Sequence, residues 1–276
     1  MSKPLKPATI DLTKVAHDTL KVKKYKNGQE SKQVRMTYDK LEFRIQTPLA
    51  KVPFGLTRGE ELDGEGKPVK NSTKPIKYSL DFNVDGTPQL DEFKQVMKKL
   101  DVKNIDHIFN KSQEWWGKKF TLDTITDACY GSVVKADKKG EYPDRFKIKL
   151  PFYDGLPRFK VYDENNKLIN WATAEEGKPA VLDWSWAQPH MQIEAIIECE
   201  GLWEVNKKVF CTFKALQIRV RPPETLPECA FEEESVPYAV KVDVKEDAKE
   251  ATKESTKDDE DLKVEDSEEE EEEDEQ

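Results

Sequence analysis

The stretch Ile76-Lys77-Tyr78-Ser79-Leu80-Asp81-Phe82-Asn83-Val84 alternates apolar and polar residues without a break. A period of two marks a strand with one buried face, so Ile76, Tyr78, Leu80, Phe82 and Val84 are expected to line a core. Arg145-Phe146-Lys147-Ile148-Lys149-Leu150 repeats the pattern, with three cations opposite three apolar residues. Between the two runs the period changes. Thr87-Pro88 supplies an N-cap and a proline suited to a first helical turn, and Leu90, Phe93, Val96/Met97 and Leu100 recur at helical spacing. Ile105 to Trp116 is amphipathic as well and stops at Gly117. A helical insertion at about 87–117, set among strands, follows.

Shorter strands are expected on both sides. Leu20 to Lys23 alternates and runs into Asn27-Gly28, a hairpin signal that allows positive φ at both turn positions. Val34, Met36 and Tyr38 form a return strand, followed by Leu41, Phe43 and Ile45. Glu60 to Pro75 is rich in Gly, Pro and Lys and reads as a surface loop. Arg158 to Tyr162, Val181 to Trp186, Met191 to Cys199 and Val209 to Val220 complete a set of about ten strands and two helices. That order favours a mostly β (α+β) fold, an OB-fold-like barrel with a helical insertion and N-terminal strand additions, over a βαβ alternation. The expected divisions are a flexible N-terminus over 1–18, one domain over 19–227 and a disordered acidic tail over 228–276.

The charge is divided unevenly. Of 276 residues, 45 are Lys or Arg and 55 are Asp or Glu. Residues 228–276 hold 23 of the acids and 6 of the lysines, leaving 39 basic and 32 acidic residues before them. The chain is a basic body with an acidic tail, which bears on partners rather than on fold. Eleven Phe, seven Tyr and six Trp in the body suffice for a core without disulfide or metal. Cys129, Cys199, Cys211 and Cys229 are scattered and read as reduced thiols of an intracellular protein. No apolar run approaches the roughly 18 residues that span a bilayer, and the opening Met-Ser-Lys-Pro-Leu-Lys-Pro has no signal-peptide core. Membrane association and secretion are therefore not expected, and the Asn71-Ser72-Thr73 sequon has no role.

Motifs of catalysis are missing. There is no phosphate-binding Gly-x-x-x-x-Gly-Lys-Ser/Thr, no Gly-x-Gly-x-x-Gly and no Gly-x-Ser-x-Gly. His17, His107 and His190 lie far apart, and no Cys/His pairs have zinc spacing. The expectation is a protein that is not an enzyme, with no cofactor and no metal.

What the sequence does carry is cations interleaved with rings. Arg145, Lys147, Lys149, Arg158 and Lys160 flank Phe152, Tyr153, Phe159 and Tyr162, while Trp184, Trp186 and Trp203 precede Lys207, Lys208 and Lys214. Single-stranded nucleic acid asks for this combination, because cations track phosphates and flat rings stack on unpaired bases. The competing reading is plain: rings on alternating strands are core, and outward lysines are a solvated face. Arg145, Lys147 and Lys149 form the strongest basic candidate, since three like charges on one face repel unless an anion arrives. The tail adds eight consecutive acids, Glu268, Glu269, Glu270, Glu271, Glu272, Glu273, Asp274 and Glu275, in a segment too polar to fold. It reads either as a solubility tail or as a tethered polyanion that competes for the body's basic groove.

The order of Tyr78-Ser-Leu-Asp-Phe82, a helical insertion, Arg145 to Leu150, Val161-Tyr-Asp-Glu-Asn-Asn-Lys-Leu-Ile169, Trp184-Ser-Trp186, Lys208 to Val220 and an acidic tail resembles the single-stranded-DNA-binding protein of short-tailed phages. Glu141 to Pro151 and Gly201 to Lys208 look more like its relatives in large nucleocytoplasmic DNA viruses. The resemblance covers about Ile76 to Gln276. It implies an OB-type barrel that binds single strands without sequence preference in replication, recombination and repair. It brings Lys147, Lys149, Tyr153, Trp184, Trp186 and Lys214 toward DNA. It also implies a tail that contacts replication proteins (polymerase, primase-helicase) and bridges a homodimer, at work in the host nucleus or a cytoplasmic viral replication site. Here the tail ends Asp274-Glu275-Gln276, where the phage tail ends in an aromatic residue. Residues before Ile76 have no counterpart, and Lys21, Lys23, Lys24 and Lys26 offer further phosphate contacts. RNA is left open as a second ligand, because discrimination depends on contacts to the sugar hydroxyl. A histone or protein chaperone, with the acidic tail on a β-sandwich body, is the alternative.

Overall fold

A computed structural model describes residues 3–24, 30–59, 76–137, 139–173, 180–205 and 207–223. The chain divides into Met1–Leu226 and Pro227–Gln276. The expected Asn27-Gly28 turn, the loop from Glu60 to Pro75, Cys229 and the acidic tail lie outside the described residues. In chain order the strands begin with β1 (Val15–His17), β2 (Lys21–Lys24), β3 (Glu30–Val34), β4 (Met36–Tyr38) and β5 (Leu41–Glu42). They continue with β6 (Arg44–Gln46), β7 (Ala50–Lys51), β8 (Leu56–Gly59) and β9 (Lys77–Asn83). Helices α1 (Pro88–Asn110), α2 (Ser112–Trp116) and α3 (Leu122–Thr124) follow. After them come β10 (Tyr130–Gly131), β11 (Val134–Lys135), β12 (Arg145–Leu150), β13 (Phe152–Tyr153), β14 (Leu156–Pro157) and β15 (Lys160–Tyr162). The last strands are β16 (Ala172–Thr173), β17 (Val181–Leu182), β18 (Gln192–Val205) and β19 (Lys208–Arg221).

The long β18–β19 hairpin is the spine. One edge of β19 takes β10, β12 and β15 in succession, all parallel to it, and the far edge of β18 takes β7, β6 and β3. Beyond β12 lie β9 and then β8, so the order across the sheet is β2-β3-β18-β19-β12-β9-β8. Among the described residues no pairing joins β8 back to β2, so in place of the expected barrel they form an open, mostly β sheet. Alternation placed strands on a sheet, but closure is set by which edges meet, and alternation carries no information about that.

One face of the sheet is dry. Leu80, Phe82, Phe146, Ile148 and Phe213 are buried there, and Phe93 of α1 packs edge-on against Phe146 at 5.1 Å. The expected N-cap is formed, with Thr87 Oγ1 accepting from the Leu90 amide at 3.3 Å. Gly117 ends α2 in the left-handed conformation, φ 71°. The helix also carries a buried polar chain. His17 Nε2 bonds Asn104 at 2.8 Å, Asn104 donates to the Tyr130 hydroxyl at 3.0 Å, and that hydroxyl donates to Asp101 at 2.7 Å. Asp101 also accepts from Ser132 and the Val133 amide, so the buried carboxylate is fully occupied, as burial requires. Cys129, Cys199 and Cys211 are buried and unbridged, the last two with sulfurs 3.7 Å apart.

Two expectations of local structure change. The opening residues are folded: Pro7–Thr9 and Leu12–Lys14 form 3₁₀ turns, Leu5 bridges Ile45, and β1 pairs with β4. Pro7 and Val15 are buried, which offsets the ordering cost that a loose start would avoid. Trp184 to Trp186, read as strand, is a turn. Asp183 Oδ1 accepts from the Ser185 amide at 2.9 Å and the Ala187 amide bonds the Trp184 carbonyl at 2.9 Å, an Asx-turn chemistry that competes with a ladder.

Candidate nucleic-acid interface

The opposite face of the sheet is polar, and its rows run across strands distant in sequence. One row joins Thr57, Ser79, Lys149, Lys214, Glu198 and Arg44 through direct pairings of β8, β9, β12, β19, β18 and β6. Further rows hold Lys147 with Asp81, Lys160 with Gln217 and Ile196, and Lys51 with Gln192 and Arg221. On β6, β7, β9, β12, β15, β18 and β19 the outward positions carry eleven cations (Arg44, Lys51, Lys77, Arg145, Lys147, Lys149, Lys160, Lys208, Lys214, Arg219, Arg221) and four carboxylates (Asp81, Glu194, Glu198, Glu200). The body's positive charge is gathered here.

The sequence-predicted cations fall into two groups. Lys149 is 2.9 Å from Glu200, Lys214 is 2.9 Å from Glu198, and Glu198 also holds Arg44 at 2.8 Å. Burial would raise the Glu198 carboxyl, but its bonds to Lys214 and Arg44 outweigh that and hold it below the usual carboxylate range. Lys147 stands 3.7 Å from Asp81 Oδ1, too far for a hydrogen bond, and leaves that buried oxygen without a donor among the described residues. The like-charge repulsion expected of Arg145, Lys147 and Lys149 is therefore relieved within the fold at Lys147 and Lys149, by β9 and β18 carboxylates, but not at Arg145. It moves to a different set. Lys135 sits opposite Arg145, and its ammonium is pushed below the ordinary value, first by loss of solvent and then by Lys147 and Arg145. Arg145, Arg158, Lys160, Lys207 and Lys208 form no ion pair among the described residues. Lys207 and Lys208 are exposed at the β18–β19 turn, where Lys207 has φ 65°.

The rings divide as well. Tyr153 is 63% exposed at the tip of the β13–β14 hairpin, whose Asp154-Gly155 turn has positive φ at both residues. The Arg158 guanidinium lies 5.1 Å from the Tyr153 ring centroid, a cation already placed over a stacking surface. Trp186 is buried in a cluster with Trp171, Trp184 and Phe159. Trp184 is half-buried in the same cluster, against Tyr78 at 4.8 Å. Trp203 is half-buried under the Lys149 ammonium at 5.8 Å, and its indole N–H has no partner among the described residues. Phe54, absent from the sequence reading, is 63% exposed with the Arg145 guanidinium 5.3 Å from its centroid. Arg44, Lys51, Lys135 and Arg221 also join the face unforeseen; only register across distant strands brings them there.

Between the β14–β15 segment and the spine runs a groove of about 560 Å³. Arg44, Arg158 and Lys160 supply its charge, and Phe159, Ile196 and Leu216 its apolar surface. A smaller hollow of about 230 Å³ adjoins it and shares Ile196 and Gln217. Among the described residues no group of three or more His, Cys, Asp or Glu could hold a metal ion, and no helix is long and apolar enough to cross a membrane.

Residues 79–236 match a family of unknown function, DUF5871, and with more than half of its length matched the chain belongs to that family. No curated protein matches it. Solved structures with a loose likeness include gp2.5, a single-stranded DNA binding protein encoded by bacteriophage T7, with TM-score 0.40 and 12% identity over 71% of this chain and 98% of that one. The single-stranded DNA-binding protein of bacteriophage Enc34 in complex with single-stranded DNA gives TM-score 0.36 and 12% identity over 74% and 94%. The same phage protein without DNA gives TM-score 0.34 and 11% identity over 78% and 97%.

Proposed function

We propose that the chain binds single-stranded DNA along the outward face of its sheet, without catalysis, on an OB-like arrangement of strands that is left open. The observation that carries this reading is the outward face itself, with eleven cations against four carboxylates beside an apolar-floored groove. The unpaired Arg145, Arg158, Lys160, Lys207 and Lys208 hold phosphates first. Lys147, Lys149 and Lys214 exchange their carboxylate partners for phosphate as the strand settles. Bases stack on Tyr153 beside Arg158 and on the exposed side of Trp184, while Trp186 braces the cluster from within. A duplex hides its base faces and gains nothing from such rings; a single strand offers one face per base. The acidic tail, Glu268 to Glu275, competes for the same cations and is released to hold replication proteins.

The test is an equilibrium titration of labelled oligo-dT with the full chain and with Arg158→Gln/Lys160→Gln. Both side chains are exposed, so the fold is kept. Affinity falls several-fold and the salt slope becomes shallower by about 1.4, from 0.7 per lost phosphate contact. A folded variant with unchanged affinity and slope would remove the groove from the site.

A further inference from the structure

The hollow beside the basic groove has the chemistry of a base-edge reader, and we infer that it takes an unpaired adenine, so that binding is not indifferent to base identity. This rests on the single-stranded-DNA reading above. Arg219 is the cation of the hollow, and Glu194 already holds it, with Nε 2.9 Å from the carboxylate and a second guanidinium nitrogen on the same oxygen. A neutralised cation makes a poor phosphate site. Arg219 Nη1 also donates to Asn166 Oδ1 at 2.9 Å. Asn166, at φ 63°, sits in a loop closed by Asp163 Oδ1, which accepts from the Asn165 and Lys167 amides at 2.9 and 2.8 Å. The frame is thus fixed before any ligand arrives.

Three polar groups on that frame are free. The amides of Gln46 and Gln217 and the hydroxyl of Tyr162 have no hydrogen-bond partner among the described residues, and all three line the hollow. A carboxamide presents a donor and an acceptor side by side. Adenine answers that pair on two edges, N6–H with N7 and N6–H with N1, and so can engage both glutamines, whereas unpaired cytosine and thymine offer a donor–acceptor pair on the Watson–Crick edge alone. At about 230 Å³ the hollow is smaller than a drug-sized site and suited to a base without its sugar. Ile196 and Gln217 also line the groove that carries Arg44, Arg158 and Lys160. A strand whose phosphates follow those cations therefore has a base within reach of the hollow.

The experiment compares oligo-dA, oligo-dT and oligo-dC of equal length, each titrated with the full chain and with Gln46→Met/Gln217→Met, which keeps volume and removes the amides. The intact chain is expected to prefer oligo-dA about fivefold or more, the lower end of what a bidentate amide–base contact gives. In the variant the three affinities converge to within about twofold while the salt slope, set by phosphates, is unchanged. Equal homopolymer affinities in the intact chain, or a preference that survives in the variant, overturns the inference and leaves single-strand binding standing. Failure of every oligomer to bind removes both.

Discussion

Replacing Glu198 and Glu200 together by glutamine should strengthen single-strand binding. These two carboxylates occupy Arg44, Lys149 and Lys214 in the middle of the outward face. DNA that reaches this row must displace them, so part of each phosphate contact is spent on breaking an internal ion pair. Glutamine keeps the shape and removes the competing charge. Three freed cations steepen the log–log salt slope by up to about 2, at 0.7 per phosphate on a single strand. The variant's advantage then shrinks by up to about 16-fold between 50 and 200 mM salt. The cost lies in the fold. Glu198 and Arg44 have side chains only 15% and 17% exposed, so breaking that pair destabilises by roughly 1–2 kcal/mol. Fluorescence anisotropy of labelled oligo-dT across a salt series, with a urea melt as control, reads both effects. A folded variant that binds with the parent's affinity and slope would refute the reasoning, since its central cations would then never touch phosphate.

Further outcomes are expected from the rings, the histidines and the tail. Tyr153→Ala lowers oligo-dT affinity by about 1–3 kcal/mol, the worth of one stacked base, with stability within about 0.5 kcal/mol. Trp186→Ala does the reverse: it lowers stability by about 3–5 kcal/mol in a urea melt through the cavity it leaves. His17 and His107 stack 4.1 Å apart between β1 and α1. Burial lowers both, His107 to about 4, where the neighbouring His17 adds to the shift. The unfolded chain therefore takes up protons first, and stability falls as pH drops from about 6.5 towards 4. For a partly solvated ring the loss at His107 is about 1–2 kcal/mol after screening. The buried Asp101, its carboxyl raised by desolvation, works the other way as the pH falls. Thermal melts at pH 7 and pH 5 that coincide would sink the histidine account. Ending the chain at Pro227 should tighten oligo-dT binding at low salt; equal affinity would leave the acidic tail without a competing role.

The sequence made some of this legible because some of it is local. Period-two runs at Lys77–Asn83 and Arg145–Leu150 are strands, and Thr87 caps α1, since each follows from residues within one turn or one pleat. The charge of the outward strands was readable for the same reason. Its neutralisation was not: Glu198 and Glu200 meet Lys214 and Lys149 only through the β18–β19–β12 register. Trp184 and Trp186 looked like an alternating strand, although Asp183 before them and Pro189 after them were turn signals in plain view. The folded opening leaves no periodic signal, because Leu5, Ile10, Leu12 and Val15 follow no single period and short 3₁₀ turns impose none.

The most direct test of the central claim is a titration of labelled oligo-dT with the full chain from 50 to 300 mM salt. Five cations on the outward face and its hairpins, without an ion pair among the described residues, predict saturable binding with a log–log slope of about −3.5. No binding at 50 mM salt, or an affinity indifferent to salt, would contradict it and leave the basic rows as a solvated surface.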